Sequence, residues 1–292
     1  MKKSFVIFLQ AIFLITSISC SKWGETGLKG KLLYSCNTTH LYRLDLSSLN
    51  EDIIYQENDF YFICYLTSVS NQKIVFSGKQ PGSTYVLRLL DLLDNKVKTL
   101  REGFSSTYMA KHNVLFFYVR HEPFTFKDSM DLYVGKLDSL ENSTLICQLG
   151  KPAIGSYSIN ETPVVQISED KIVFHGINNM IYEYDYSTGE ISETGLRNLY
   201  PIAWREKTGE LICGDLKGED FFLANLPNKK VQPINLGKET MGWTYIKEYD
   251  ILLYSQKIIE WGIIYSYNFS NTKNERLKFN ATIMSNAIYM SK

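Results

Sequence analysis

A pattern of about forty residues recurs along the chain, and a repeat of that length constrains the fold more than any other feature. Each copy reads as an apolar strand, a tight polar turn, a second strand of the form apolar-Tyr-x-apolar-Asp, a further turn and a third strand. Clear copies run from Lys31 to Tyr55 (KLLYSC, HLYRLDL, EDIIY), Lys73 to Leu100 (KIVFSG, TYVLRLLDL, KVKTL), Asn113 to Leu149 (NVLFFYV, DLYVGKLDS, STLICQL) and Lys171 to Thr194 (KIVFHG, MIYEYDY, EISET). Looser copies run from Glu210 to Leu236 and from Asp250 to Phe279. Period-two alternation rich in Tyr, Ile, Val and Phe, with turns such as Ser187-Thr188-Gly189, makes these segments strands. The mature chain shows no helical face.

A further strand candidate precedes each copy after the first: Phe60 to Val69, Ser105 to Ala110, Pro163 to Ser168, Leu199 to Trp204 and Thr240 to Lys247. Six units of four antiparallel strands predict an all-β fold, a six-bladed β-propeller. The first unit lacks its leading strand, and an apolar segment, Thr282 to Met290, is left over at the end of the chain. That segment is expected to complete the first blade and so remove the free edges of an open array. The alternatives are a seven-bladed count and a β-sandwich followed by a second β domain, the latter explaining neither the period nor the spare strand.

The N-terminus has a separate logic. Lys2 and Lys3 precede an uncharged, mostly apolar run from Ser4 to Ile15, the length of an export-signal core and too short to span a bilayer. Ser17-Ile18-Ser19-Cys20 resembles a bacterial lipobox, with Ser17 where that pattern usually has Leu. The resemblance implies cleavage before Cys20 and lipidation of its thiol, the alternative being an ordinary cleaved signal. Ser21 resembles the residue that sorts lipoproteins to the outer membrane of diderm bacteria. The expected organisation is a signal peptide over 1–19, a lipid-anchored tether over 20–29 and a propeller over 30–292, in the cell envelope.

Ile74-Val75-Phe76-Ser77-Gly78 followed by Tyr85-Val86 and Asp91, and Ile172-Val173-Phe174-His175-Gly176 followed by Ile181-Tyr182-Glu183-Tyr184-Asp185, resemble the repeats of TolB-type, WD40-like propellers. The likeness covers most of the mature chain and implies the fold alone, since propellers host binding scaffolds, lyases and hydrolases alike. A Trp-Asp signature and a kelch double glycine are both missing from the sequence.

Antiparallel order places loops on two faces. Loops from an outer strand to the next inner strand share a face with the middle hairpin loops, and both long insertions, Arg120 to Met130 and Gly150 to Thr162, fall there. Long loops on a rigid scaffold carry binding. The candidate binding face comprises His121, Phe124, Phe126, Lys127 and Asp128 from the first insertion, Tyr157 from the second and Trp261 from the sixth unit. Aromatic surface beside both signs of charge suits a protein or glycan. Tyr200 and Trp243 lie near the same face, where Trp243 and Trp204 serve either blade packing or a channel mouth.

With 31 Lys+Arg against 31 Asp+Glu and no basic cluster, nothing favours nucleic acid. Phosphate-loop, nucleophile-elbow, zinc-protease, calcium-loop and dinucleotide patterns are missing from the sequence, so no cofactor or metal is expected. His40, His112, His121 and His175 are scattered over three units. Cys36, Cys64, Cys147 and Cys213 lack zinc-ligand spacing and are expected to be buried thiols. Asp45, Asp91, Asp138 and Asp185 recur near the end of the middle strand, where a carboxylate accepts hydrogen bonds from the following turn. The Asn-x-Ser/Thr triplets at Asn37, Asn142, Asn160, Asn268 and Asn280 carry little weight behind a bacterial signal.

The expected function is a non-catalytic envelope lipoprotein whose propeller binds a protein or glycan partner. The alternatives are a propeller enzyme acting on polysaccharide and a structural subunit of an envelope complex.

Overall fold

The computed structural model describes residues 27–35, 39–59, 62–79, 84–121, 130–150, 163–216, 220–236, 240–256, 264–277 and 287–291. They form six four-stranded antiparallel sheets arranged as the blades of a propeller. Blade one contains β1 (Lys31–Tyr34), β2 (His40–Asp45) and β3 (Glu51–Gln56); blade two contains β4 (Phe62–Ser68), β5 (Lys73–Lys79), β6 (Tyr85–Asp91) and β7 (Val97–Glu102). Blade three contains β8 (Phe104–Met109), β9 (Val114–Arg120), β10 (Met130–Lys136) and β11 (Thr144–Gly150); blade four contains β12 (Val165–Gln166), β13 (Lys171–His175), β14 (Met180–Asp185) and β15 (Glu190–Arg197). Blade five contains β16 (Leu199–Arg205), β17 (Glu210–Asp215), β18 (Phe221–Asn225) and β19 (Lys230–Ile234); blade six contains β20 (Thr240–Ile246), β21 (Ile251–Gln256), β22 (Ile264–Asn268) and β23 (Lys273–Leu277). The last strand, β24 (Ile288–Met290), pairs with β1 through Lys31↔Met290 and Leu33↔Ile288 and supplies the missing inner strand of blade one.

The core lies between blades. In β13, Ile172 and Phe174 pack toward blade three with Phe116 and Leu132, while Val173 packs toward blade five with Leu211 and Cys213. A strand covered on both faces reads as a continuous apolar run, which is why the second strands (VLFFYV, KIVF) lack strict alternation. Outer strands have one neighbour and face solvent; β15 is exposed at most of its positions. Cys64 and Cys213 are buried as expected, whereas Cys147 on an outer strand is only half-buried. Cys36 lies outside the described residues.

β12 is shorter than the Pro163 to Ser168 segment expected for it. Ser168 leaves the ladder because its Oγ accepts the N–H groups of Asp170 (3.3 Å) and Lys171 (3.1 Å), which starts the turn, and Pro163 has no N–H to donate. Inner strands β4 and β8 each carry a bulge, between Cys64 and Thr67 and between Phe104 and Thr107, with Tyr65 and Ser105 at positive φ.

The recurrent aspartates cap turns as expected in three blades. Asp45 Oδ1 accepts from Ser47 N (2.9 Å) and Ser48 N (3.0 Å), Asp91 Oδ1 from Leu93 N (3.0 Å), and Asp185 Oδ1 from Ser187 N (2.9 Å). Asn225 and Asn268 do the same work in blades five and six. Asp138 is the exception. The connection in blade three winds into a 3-10 turn over Leu137–Asn142 that buries Leu137 and Leu140, so Asp138 sits past the strand end and accepts instead from Asn113 Nδ2 at 3.0 Å.

The N-terminal segment is locked to the closing strand. Leu28 is buried in the cluster joining blades six and one, and the Gly30 carbonyl accepts from Leu46 N at 3.0 Å. Gly30 has φ +98°, and a Cβ there would stand 2.6 Å from the Tyr289 ring, so only glycine fits.

Candidate functional site

Antiparallel order fixes the two faces of the ring. The short-turn face carries the inner-to-second and third-to-outer connections; the long-loop face carries the middle hairpin loops and the links between blades. The strand ends joined by residues 121–129 (β9 to β10) and by residues 151–164 (β11 to β12) both stand on the long-loop face. Of the expected binding residues, His121 is described and stands on that face. Phe124, Phe126, Lys127, Asp128, Tyr157 and Trp261 lie outside the described residues, as does Cys20.

His121 has a partner that adjacency in sequence does not reveal. Its Nε2 lies 2.5 Å from Oδ2 of Asp131, across the base of the 121–129 insertion. Asp131 is 7% exposed at its side chain and His121 is 43% exposed, so a buried carboxylate orients an imidazole whose other edge faces solvent. The register Arg120↔Met130 and Val119↔Asp131 sets His121, the residue after β9, and Asp131 in β10 on opposite sides of the loop base. Arg120 lies 5.5 Å from the Phe104 ring centroid, which ties the same loop base to the inner strand of blade three. Burial, and after it the Asp131 carboxylate, pushes the Cys147 thiol up, which makes it a poor nucleophile at neutral pH.

At the axis, inner strands of blades two to five line a cavity of about 310 Å³ bordered by Tyr65, Thr67, Ser68, Ser105, Ser106, Thr107, Tyr108, Gln166 and Ile202, among others. Its lining mixes hydroxyls and the Gln166 amide with Leu66, Val164, Val165 and Ile202, and among the described residues carries no carboxylate, amine or imidazole. An inner strand has no ladder partner on its axial edge, so its carbonyls need another donor. Threonines supply it: Thr67 Oγ1 donates to the Ser106 carbonyl (2.5 Å), Thr107 Oγ1 to the Val164 carbonyl, and Thr244 Oγ1 to the Ala287 carbonyl (2.6 Å). Each bond runs from one inner strand to the inner strand of the next blade or to the residue that precedes it.

Trp243 sits 5.8 Å from the rings of both Tyr200 and Phe221, and Trp204 packs in the cluster joining blades four and five, so both tryptophans take the packing role. His175, at the end of β13, is 6% exposed, and among the described residues its Nε2 has no hydrogen-bond partner. Burial pushes its pKa down to about 4, which keeps the ring neutral. Among the described residues no group of His, Cys, Asp and Glu stands close enough to hold a metal ion.

Polar staples join blades on the short-turn face. Arg205 grips Asp250 with both arms, Nε to Oδ1 at 2.9 Å and Nη2 to Oδ2 at 2.8 Å, while Nη1 reaches Glu210 at 2.5 Å and the guanidinium lies 4.4 Å from the Phe269 ring centroid. Burial pushes the Asp250 carboxyl up, but the bonds from Arg205 and Tyr245 outweigh it and hold the group below its ordinary value. Two junctions earlier, between blades three and four, Asp170 takes Lys111 Nζ (2.8 Å) and His112 Nε2 (2.5 Å) from blade three. Asp170 and Asp250 both directly precede the second strand of their blade. The sequence carries that positional match, but it gives no sign that the partner is a cation from the preceding blade.

These features define a closed propeller with a cavity among its inner strands, ion pairs joining blades three to four and five to six on one face, and the strand ends that flank its long insertions on the other. The fold is that of TolB-type six-bladed propellers. TolB from Acinetobacter baumannii aligns with a TM-score of 0.65 at 10% identity over 88% of this chain and 65% of that one, so the chain spans about two thirds of that protein. A chain of a nidogen/laminin complex aligns with a TM-score of 0.62 at 10% identity over 85% of this chain and 92% of that one. A putative TolB from Agrobacterium tumefaciens gives 0.56 at 10% identity over 90% and 98%. No protein-family model matches the chain, and no curated protein matches it by sequence.

Proposed function

We propose that the chain is a cell-envelope lipoprotein, anchored through Cys20, whose propeller is a binding scaffold for a protein or glycan. The observation that carries this reading is the asymmetry of the ring: described turns on one face are short and stapled, and both long insertions leave from the other. The His121–Asp131 pair fixes the base of the first insertion and so presents that loop from a rigid frame. Propellers solved as TolB, and in a complex of nidogen with laminin, support a protein partner over a glycan. Among the described residues no helix is long and apolar enough to cross a membrane.

The test is capture from detergent-solubilised envelope with the intact protein beside a variant in which residues 122–129 are replaced by a two-residue turn. A partner held by the first and lost from the second, with both rings equally stable, supports the scaffold. Identical capture by both removes this face from the reading.

A further inference from the structure

We propose that the short-turn face of blades six and one is the membrane-proximal face, so that the ring is presented with its long-loop face away from the bilayer. This rests on the reading of Cys20 as the lipidated residue and adds a direction to it. Both ends of the described chain lie on the short-turn face: Lys31, which opens β1, is paired with Asp45 at the end of β2 and with Met290 at the end of β24.

The chain is fixed there from Leu28 onward. Leu28 is 6% exposed, the Lys29 N–H donates to Tyr249 Oη (2.9 Å), the Lys29 carbonyl accepts from Tyr289 Oη (3.0 Å), and Leu46 N donates to the Gly30 carbonyl (3.0 Å). The fixed chain therefore begins at Leu28. From Cys20 to Gly27 the backbone can reach at most about 25 Å at ~3.5 Å per residue. As a flexible coil it would span only about 15 Å on average.

The ring is about as thick as that maximum reach, because a seven-residue strand such as β5 rises roughly 23 Å. To lay the long-loop face on the membrane, the tether would have to leave the short-turn side, pass around the rim and cover the full thickness as well. Its contour length does not allow this. The short-turn face carries both signs of charge, as in Lys247 against Glu206 at 2.5 Å, so the tether, and not attraction to anionic lipid, sets the orientation.

Ser48 and Asn58 are exposed and lie beyond opposite ends of β3, Ser48 on the short-turn face and Asn58 on the long-loop face. The test places a donor dye on Ser48→Cys or on Asn58→Cys in the acylated full-length chain carrying Cys36→Ser and Cys147→Ser. Each protein is reconstituted into phosphatidylethanolamine/phosphatidylglycerol vesicles with a headgroup-labelled acceptor lipid. Energy transfer at least twofold greater from position 48 than from position 58 is expected, and Glu248→Cys against Glu102→Cys repeats the comparison in blades six and two. Equal transfer, or greater transfer from the long-loop positions, overturns the orientation. Fractionation of a Cys20→Ala variant separates the two readings. If the variant leaves the membrane while transfer is equal from both faces, the orientation alone falls; if it stays in the membrane like the parent, the lipid anchor falls and the orientation with it.

Discussion

Tyr289 donates its phenolic hydrogen to the backbone carbonyl of Lys29 at 3.0 Å, although the two residues are 260 positions apart in the chain. The bond sits beside the β1–β24 ladder and joins the last strand to the segment that precedes the first. A ring closed in this way pairs the inner edge of β1, and its two ends lose their fraying freedom together.

Closure therefore sets the cooperativity of unfolding. Tyr289→Phe should cost about 1 kcal/mol, the net worth of one hydrogen bond. Deletion of residues 287–292 should do far more, because it uncovers the inner edge of β1 and the Leu28 cluster. Urea denaturation followed by fluorescence should show a small midpoint shift for the first variant and a broadened, earlier transition for the second. An unchanged transition after the deletion would mean that blade six and blade one hold each other without the closing strand.

The Arg205–Asp250 pair staples blades five and six from inside the protein, with both side chains under a tenth exposed. Removing one partner leaves a buried charge without compensation, so Arg205→Ala should destabilise by roughly 3 kcal/mol. Arg205→Met with Asp250→Asn should recover part of that loss, since both charges go together; asparagine also tolerates the positive φ that Asp250 adopts. A double-mutant cycle in urea measures the coupling, and strictly additive losses would deny that the two act as a unit.

Thr107 closes the junction between blades three and four by donating to the Val164 carbonyl. Thr107→Val keeps the shape, removes the donor and leaves that carbonyl unpaired at the axis, at a cost of about 1 kcal/mol. Thr67→Val should behave alike at the junction between blades two and three, where Thr67 Oγ1 donates to Ser106. Hydrogen exchange should speed up in β8 and β12 for the first variant and in β4 and β8 for the second. Exchange that rises evenly around the ring would instead assign the threonines to global stability.

What the sequence revealed and what it hid divide by range. Local signals were sound: the two-residue period, the turn residues and the spare terminal strand led to six blades and to their closure. Asn225 and Asn268 escaped a search for aspartate because the same turn geometry accepts either side chain as the acceptor. Asp138 misled for the opposite reason, since a correct residue type fell in a connection that winds into a 3-10 turn. The staples were out of reach. Arg205 meets Asp250 from 45 positions away, and Thr107 meets Val164 from 57, so no local pattern could pair them. His121 was singled out for its loop, while Asp131, ten positions on and the residue that orients it, became visible only through the β9–β10 register.

Acid should act on this ring in two separate windows. Burial lowers the pKa of His175 from 6.5 to about 4, so between those values the unfolded chain binds a proton that the folded chain refuses. Its neutral burial stabilises fully above pH 6.5, and that contribution falls away as pH drops toward 4, by about 3 kcal/mol in all. Asp45 works in the same direction but lower down. The Ser47 hydroxyl first, then the Ser48 N–H, hold its carboxyl at about 2 against an ordinary 3.8, so its turn loses support only as pH falls through that lower range. Urea midpoints at pH 7, 5, 4 and 3 should decline in both windows for the parent. His175→Leu should flatten the decline between 7 and 4 while leaving the lower one in place, and Asp45→Asn should do the reverse. A parent-like slope between pH 7 and 4 in His175→Leu would place the acid sensitivity elsewhere in the ring.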